Sequence, residues 1–206
     1  MRRSIAERTN GTGRPPSRNG RRRAGEGPSI ILGIDPGTLV TGYGVIMRDR
    51  NTLRLLGCGT VRNSSDASMP IRLKKIYNEL CSVIETYHPD ELAIESAFYG
   101  KNAQSALKLG HARGVAILAA VESEIPTSEY SPREVKKAVV GNGAASKEQV
   151  QFMVRSLLRL SNARMLHDTS DAIAIAICHL HRLASPASRH KSWTSFVTAH
   201  PERVRA

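Results

Sequence analysis

The sequence predicts an α/β fold with a mixed five-stranded sheet flanked by helices, and three observations lead there. An unbroken apolar run, Ile30-Ile31-Leu32-Gly33-Ile34, closes on Asp35-Pro36-Gly37, the pattern of a buried central strand that ends in a turn. Two further segments, 40–47 and 52–61, alternate in polarity and are separated by the hairpin chemistry of Asp49-Arg50-Asn51. Beyond them the period changes, and helical stretches alternate with two short segments of strand length.

The first three segments have short connections, so they form an antiparallel meander. From Ile71 to Tyr87 the apolar residues Leu73, Ile76, Leu80, Val83 and Ile84 keep the helical period, and His88-Pro89-Asp90 stops the helix. Glu91-Leu92-Ala93-Ile94-Glu95 is a short buried strand that, like the first, ends in a carboxylate. A loop from Phe98 to Asn102 leads into an Ala- and Leu-rich helix that reaches about Glu124, where Ile125-Pro126 stops it. Thr127 to Tyr130 is the last strand, Pro132 suits the first turn of a helix running to Val140, and Gly141-Asn142-Gly143 breaks the chain. Ser146 and Gln149 resemble a capping pair that opens a helix to about Leu160. The segment from Asp168 alternates like a strand, but its alanines, the Asp cap and the continuation through Leu183 favour a helix. The order is βββαβαβα with extra helical material before the last helix.

A chain of 206 residues suits one well-buried domain with tails. The formal charge is +12, yet residues 1–27 carry eight Arg against two Glu, and 184–206 carry four basic residues against one acid. The middle is left at about +3, so polyanion affinity is expected while specificity must come from the folded part. Pro15-Pro16 and the scattered glycines oppose an amphipathic transit helix, so 1–27 is expected to be a disordered basic tail, 28–183 the folded domain and 184–206 a second, flexible tail. Cys58, Cys81 and Cys178 are far apart, which argues against a disulfide framework or structural zinc and suits a reduced cytoplasmic protein. No apolar stretch approaches the ~20 residues of a membrane span.

Four acids, Asp35, Glu95, Asp168 and Asp171, interrupt otherwise apolar sequence on three separate elements. Each has an ordinary structural role open to it. Asp35 can start a turn, Glu95 can be a strand-end surface residue, Asp168 can cap a helix, and Asp171 can complement the helix dipole. Their conjunction points elsewhere. Two strands ending in acids beside a helix that begins with two acids three positions apart would gather like charges that need cations to coexist. An all-oxygen cluster suits Mg²⁺ or Mn²⁺, and a pair of such ions about 4 Å apart activates water and stabilises the leaving oxygen of a phosphodiester.

Several spaced motifs then carry a resemblance. Gly33-Ile34-Asp35-Pro36-Gly37 with Gly42-Tyr43-Gly44, Ala93-Ile94-Glu95 with Phe98 and Lys101-Asn102, and the run Ser105 to Gly114 are the first of them. Val135 to Gly141, Lys147 with Gln149-Val150, and Asp168 with Asp171-Ala172 complete the series. Together they resemble the bacterial crossover junction endodeoxyribonucleases, the RuvC family, over about residues 29–183. The resemblance implies a ribonuclease H-like domain acting as a homodimer that resolves four-way Holliday junctions by paired symmetric nicks, with two Mg²⁺ per active site and Mn²⁺ as an alternative. By matching positions, Asp35, Glu95, Asp168 and Asp171 become the metal-binding catalytic acids, Phe98 the junction-contacting aromatic, and Lys136 and Lys147 the basic residues near the scissile phosphate. It also implies the RuvA–RuvB branch-migration complex as a partner. On residue chemistry alone a Phe such as Phe98 is more often core than a stacking platform, and lysines such as Lys136 and Lys147 are more often solvated than functional. The segment from Leu160 to His167 is about one residue longer than the family pattern, which leaves either His167 or Asp168 as the third ligand. The smaller resolvase-like nucleases of ribosomal RNA processing and the actin-like ATPases share the Gly-Ile-Asp start. The former lack the helix signature after Ala103, and the latter need a second glycine-rich phosphate loop and a longer chain.

Overall fold

A computed structural model of the chain describes residues 29–50, 52–96, 103–160 and 167–184, with the side chains of His167 and Asp168 left out. Ten elements follow in order: β1 (Ser29–Asp35), β2 (Val40–Asp49), β3 (Thr52–Arg62), α1 (Met69–Tyr87), β4 (Glu91–Glu95), α2 (Ala103–Glu122), β5 (Thr127–Tyr130), α3 (Pro132–Val140), α4 (Lys147–Leu157) and α5 (His167–Ala184). The strands form one sheet in the order β3-β2-β1-β4-β5, antiparallel across the first three and parallel from β1 through β4 to β5. The mixed five-stranded sheet expected from the sequence is therefore present. Helix ends differ by a turn or less: α2 stops at Glu122, with Glu124 in the left-handed region at φ 58°, and α4 stops at Leu157, with Arg159 there at φ 53°. The two predicted basic tails lie outside the described residues, apart from Ala184, which closes α5.

Strand alternation divides the core into two. Leu32, Ile34, Val45, Leu92 and Ile94 face one side, where α1 and α2 cover them with Ile76, Leu80, Ala112, Ala116 and Ala119. Ile31, Ile46 and Ala93 face the other, where α5 lies on the sheet and is itself roofed by Val135 and Val139 of α3 and Val150 and Val154 of α4. Enclosure on every side explains why α5 reads as apolar throughout. From Thr169 to Leu180 every residue of it is buried except Asp171.

The register shows how α5 comes so near the strands. Gly33 pairs with Gly44 on β2 and with Ala93 on β4, placing three small residues side by side beneath the helix. A Cβ at Gly33 would stand 2.1 Å from the Ala172 carbonyl oxygen, and one at Gly44 would stand 2.4 Å from Ile173 Cγ1. Both distances lie far inside van der Waals contact, so this helix height requires glycine at both places.

Candidate active site

Asp35 and Glu95 close β1 and β4, which run parallel and adjacent with Ile34 beside Ile94. Residues two apart on a strand share a face, so Asp35 lies on the side of Gly33 and Glu95 on the side of Ala93, the side that carries α5. The turn after Asp35 is held from below. The buried Thr41 hydroxyl donates to the Gly37 carbonyl at 2.6 Å, and Asn63 reaches the Thr38 carbonyl through Nδ2 at 2.9 Å.

The two carboxyl groups are hydrogen-bonded to each other and titrate as a pair. Burial, reinforced by the charges of Glu95 and Asp171, pushes the Asp35 carboxyl up to about 8 from 3.8. Glu95 is also raised by burial, against which its hydrogen bond from Asp35 and the nearby Lys147 and Lys136 act. A proton held between two carboxyl groups near neutrality is what a cluster of like charges adopts when no cation compensates it.

Asp171 completes the group from the first turn of α5. Its Oδ2 accepts from Lys147 Nζ at 3.0 Å. Lys147 is the first residue of α4, placed there by a capping box in which Ser146 and Gln149 satisfy each other's backbone N–H groups. Asp171, through a hydrogen bond and its charge, holds the Lys147 ammonium above the ordinary lysine range, with Asp35 and Glu95 adding to it. Lys136, on α3, is close enough for its charge to act on Glu95.

Of the seven residues singled out in the sequence, five thus converge on one end of the sheet: Asp35, Glu95, Asp171, Lys136 and Lys147. Asp168 sits on α5 one turn before Asp171, and His167 is its neighbour there. Phe98 lies outside the described residues. Among the described residues no three His, Cys, Asp or Glu side chains form a ready-made metal cage. Asp171 is engaged by Lys147, and Asp168, the remaining acid, is not among the described side chains.

The family model for crossover junction endodeoxyribonuclease RuvC matches residues 31–179, a span that holds every one of these positions. The chain belongs to the RuvC family. RuvC of Salinibacter ruber is 46% identical over 176 residues, covering 85% of this chain and 98% of the relative. RuvC of Photorhabdus laumondii is 56% identical over 153 residues, covering 74% and 87%. Among solved structures, T. thermophilus RuvC in complex with a Holliday junction substrate superposes with a TM-score of 0.69 at 34% identity, over 73% of this chain and 92% of that one. The yeast mitochondrial Holliday junction resolvase Ydc2, at 13% identity and a TM-score of 0.56 over 76% of this chain and 81% of its own, shares the fold. As a RuvC family member the chain is a crossover junction endodeoxyribonuclease with a ribonuclease H-like fold. Among the described residues no helix is long and apolar enough to cross a membrane.

Sequence reasoning missed the residues that position this acid cluster. Thr41 and Asn63 shape the turn behind Asp35, and Gly33 with Gly44 seats the helix that carries Asp171. The one available signal was the recurrence of glycine in two consecutive strands, and only the register reveals that the two glycines are neighbours.

Proposed function

We propose that the chain resolves Holliday junctions as a homodimer by paired, symmetric, metal-dependent nicks, with Asp35, Glu95, Asp168 and Asp171 as the acids that hold two Mg²⁺ ions. The observation that carries this reading is the convergence of Asp35, Glu95 and Asp171 beside Lys147, with Asp35 raised to about 8 by burial and by its acidic neighbours. The donor set fits the ions: it is all oxygen, drawn from rigid strand ends and a helix start, and its like charges favour divalent cations over protons at neutral pH. When bound, such ions activate water and stabilise the leaving oxygen.

The protein's own groups have separate tasks. The strand ends fix Asp35 and Glu95 against the sheet, and α5 presents Asp171 to them. Lys147 is 66% exposed, so its ammonium can leave Asp171 and meet the anionic phosphate of an incoming strand without losing a buried partner. Lys136 adds positive charge on the Glu95 side. Phe98, three residues beyond Glu95, is the aromatic proposed to wedge against bases opened at the crossover, with stacking worth about 1–3 kcal/mol per base.

The deciding experiment is nicking of a synthetic four-way junction with Mg²⁺ or Mn²⁺ against EDTA. Asp35→Asn and Glu95→Gln should each abolish cleavage while sparing junction binding, which rests on phosphate contacts made elsewhere. Cleavage retained by either variant would remove the acid-cluster mechanism. For Phe98, Phe98→Ala should leave stability unchanged and slow cleavage, with partial recovery on a junction that has unpaired bases at its centre.

A further inference from the structure

A second polar cluster lies on the α5 face of the sheet, running from the apolar core to the half-buried Glu91 at its edge. Tyr130 Oη is 2.6 Å from His179 Nδ1, and His179 Nε2 is 2.9 Å from Glu91 Oε2. His179 is 2% exposed and Tyr130 3%. Glu91 only accepts, so with a neutral ring the proton sits on Nε2 and Nδ1 accepts from the tyrosine hydroxyl. Burial pushes that hydroxyl up to about 12, which keeps it a donor. Tyr130 is flanked by Arg182, whose guanidinium stands 5.6 Å from the ring centroid. Three elements meet here: Glu91 opens β4, Tyr130 closes β5, and His179 is on α5.

We propose that Glu91, His179 and Tyr130 form a positioning relay that fixes α5 along its own axis and so sets where Asp171 stands relative to Asp35 and Glu95. This rests on the reading of those acids given above. Where α5 crosses β1 and β2 it packs through Ala172, Ile173 and Ala176, and apolar burial is non-directional, so this packing sets how close the helix lies to the sheet more than where it stands along its own axis. Hydrogen bonds keep donor–acceptor distances of about 2.7–3.2 Å and weaken steeply when bent below about 120°, so two in series from a single imidazole to two strands specify one position along the axis. His179 lies eight residues after Asp171, about 12 Å along the helix, close enough for a rigid rod to transmit a shift undiminished. The strand side is tied to the same point. Tyr130 pairs in register with Glu95, and the Tyr130 carbonyl accepts from Ser96 N–H at 2.8 Å, pinning the chain just past the second acid.

The test uses the full chain and compares Tyr130→Phe, Glu91→Ala and Glu91→Gln with Asp35→Asn. It reads single-turnover cleavage of a four-way junction well below each variant's Tm, junction affinity in EDTA, and Mn²⁺ binding by calorimetry. Tyr130→Phe and Glu91→Ala should lose about tenfold or more in both cleavage and Mn²⁺ affinity, the usual scale for groups that orient metal ligands, with junction affinity unchanged. Glu91→Gln, which keeps an acceptor oxygen, should restore most of both. Lowered Tm with unchanged cleavage and Mn²⁺ affinity would make the cluster a stability element only and overturn the proposal. An inactive Asp35→Asn beside a fully active Tyr130→Phe overturns the relay alone, whereas a fully active Asp35→Asn overturns the acid site and the relay with it.

Discussion

Gly33 faces Gly44 across the β1–β2 ladder, and the start of α5 rests on the pair so closely that a Cβ at Gly33 would lie 2.1 Å from the carbonyl oxygen of Ala172. Ala172 follows Asp171 directly, so the glycine that lets the helix down onto the sheet also sets the position of a proposed metal ligand. Gly33→Ala must lift or tilt the helix, because the obstructing atom is backbone. Overpacking of this kind costs about 1–3 kcal/mol and sometimes more. The expected result is a fall in Tm together with a loss of cleavage larger than the stability loss explains at a temperature where the variant is folded. Gly44→Ala meets Ile173, whose buried Cγ1 would stand 2.4 Å away with its backbone N at 3.1 Å, so it too should displace the helix and lower both Tm and cleavage. Equal cleavage by Gly33→Ala and the unmodified chain, with both folded, would disconnect helix height from the chemistry.

Those two glycines also mark the boundary of what the sequence made legible. Periodicity located the elements that bury one face or one stripe, Pro132, the Ser146–Gln149 pair and the Asp168 cap marked the last three helices, and the two strand-end acids stood out because nothing in a sheet requires a carboxylate at that place. Lys136 and Lys147 had no such signal: a lysine beside an active site and a lysine in water have the same local sequence, so these two came from family resemblance alone. The Glu91–His179–Tyr130 cluster was invisible for another reason. Its members are up to 88 residues apart, and their meeting depends on strand order and on the height of α5, neither of which is a property of any one segment.

The raised carboxyl of Asp35 predicts a pH dependence of the metal-free protein. Its pKa, pushed to about 8 from 3.8 chiefly by burial, lies above the unfolded value, so folding favours the protonated form. That contribution to stability is complete below about pH 4 and is lost as pH rises through about 8. In EDTA, the Tm of the unmodified chain should therefore decline from about pH 5 to about pH 8 more than that of Asp35→Asn, which has no proton to lose. The gap between the two curves should widen steadily as pH rises toward about 8. Because a cation must displace the same proton, the Mg²⁺ concentration needed for cleavage should rise as pH falls. Parallel Tm curves for the two proteins would mean that Asp35 is ionised in the fold.

His167 and Asp168 both stand within one turn of Asp171 at the start of α5. The proposed site uses Asp168, whose oxygen chemistry matches Asp35 and Glu95. Asp168→Ala should cause a large loss of single-turnover cleavage and His167→Ala a small one. The reverse order would make the imidazole the third ligand, and Asp168 would then act only on the helix end.

The outer surface of α2 supports the proposed homodimer and gives it a sharp test. Leu107, Leu118 and Val121 are 63%, 50% and 59% exposed, and Gly110 and Gly114 have no atom within 4 Å of where a Cβ would stand. At positions 107, 110, 114, 118 and 121 these residues follow the helical repeat and form one stripe. Large apolar residues flanking two glycines let a second helix approach closely, and a twofold axis through the stripe would bring two copies into self-complementary contact, as two symmetric cuts require. Leu118→Glu should give a monomer by sedimentation at micromolar concentration with its fold intact, and it should nick single strands without pairing the cuts. Gly114→Ala separates an interface from a wet helix face by the sign of its effect. On a wet face, replacing an interior helix glycine by alanine stabilises by about 1 kcal/mol, so Tm should rise and self-association should not change. In the dimer the added methyl stands between the two backbones, so the dissociation constant should increase even though the isolated helix is strengthened. A rise in Tm with unaltered dimerisation would move the contact away from α2.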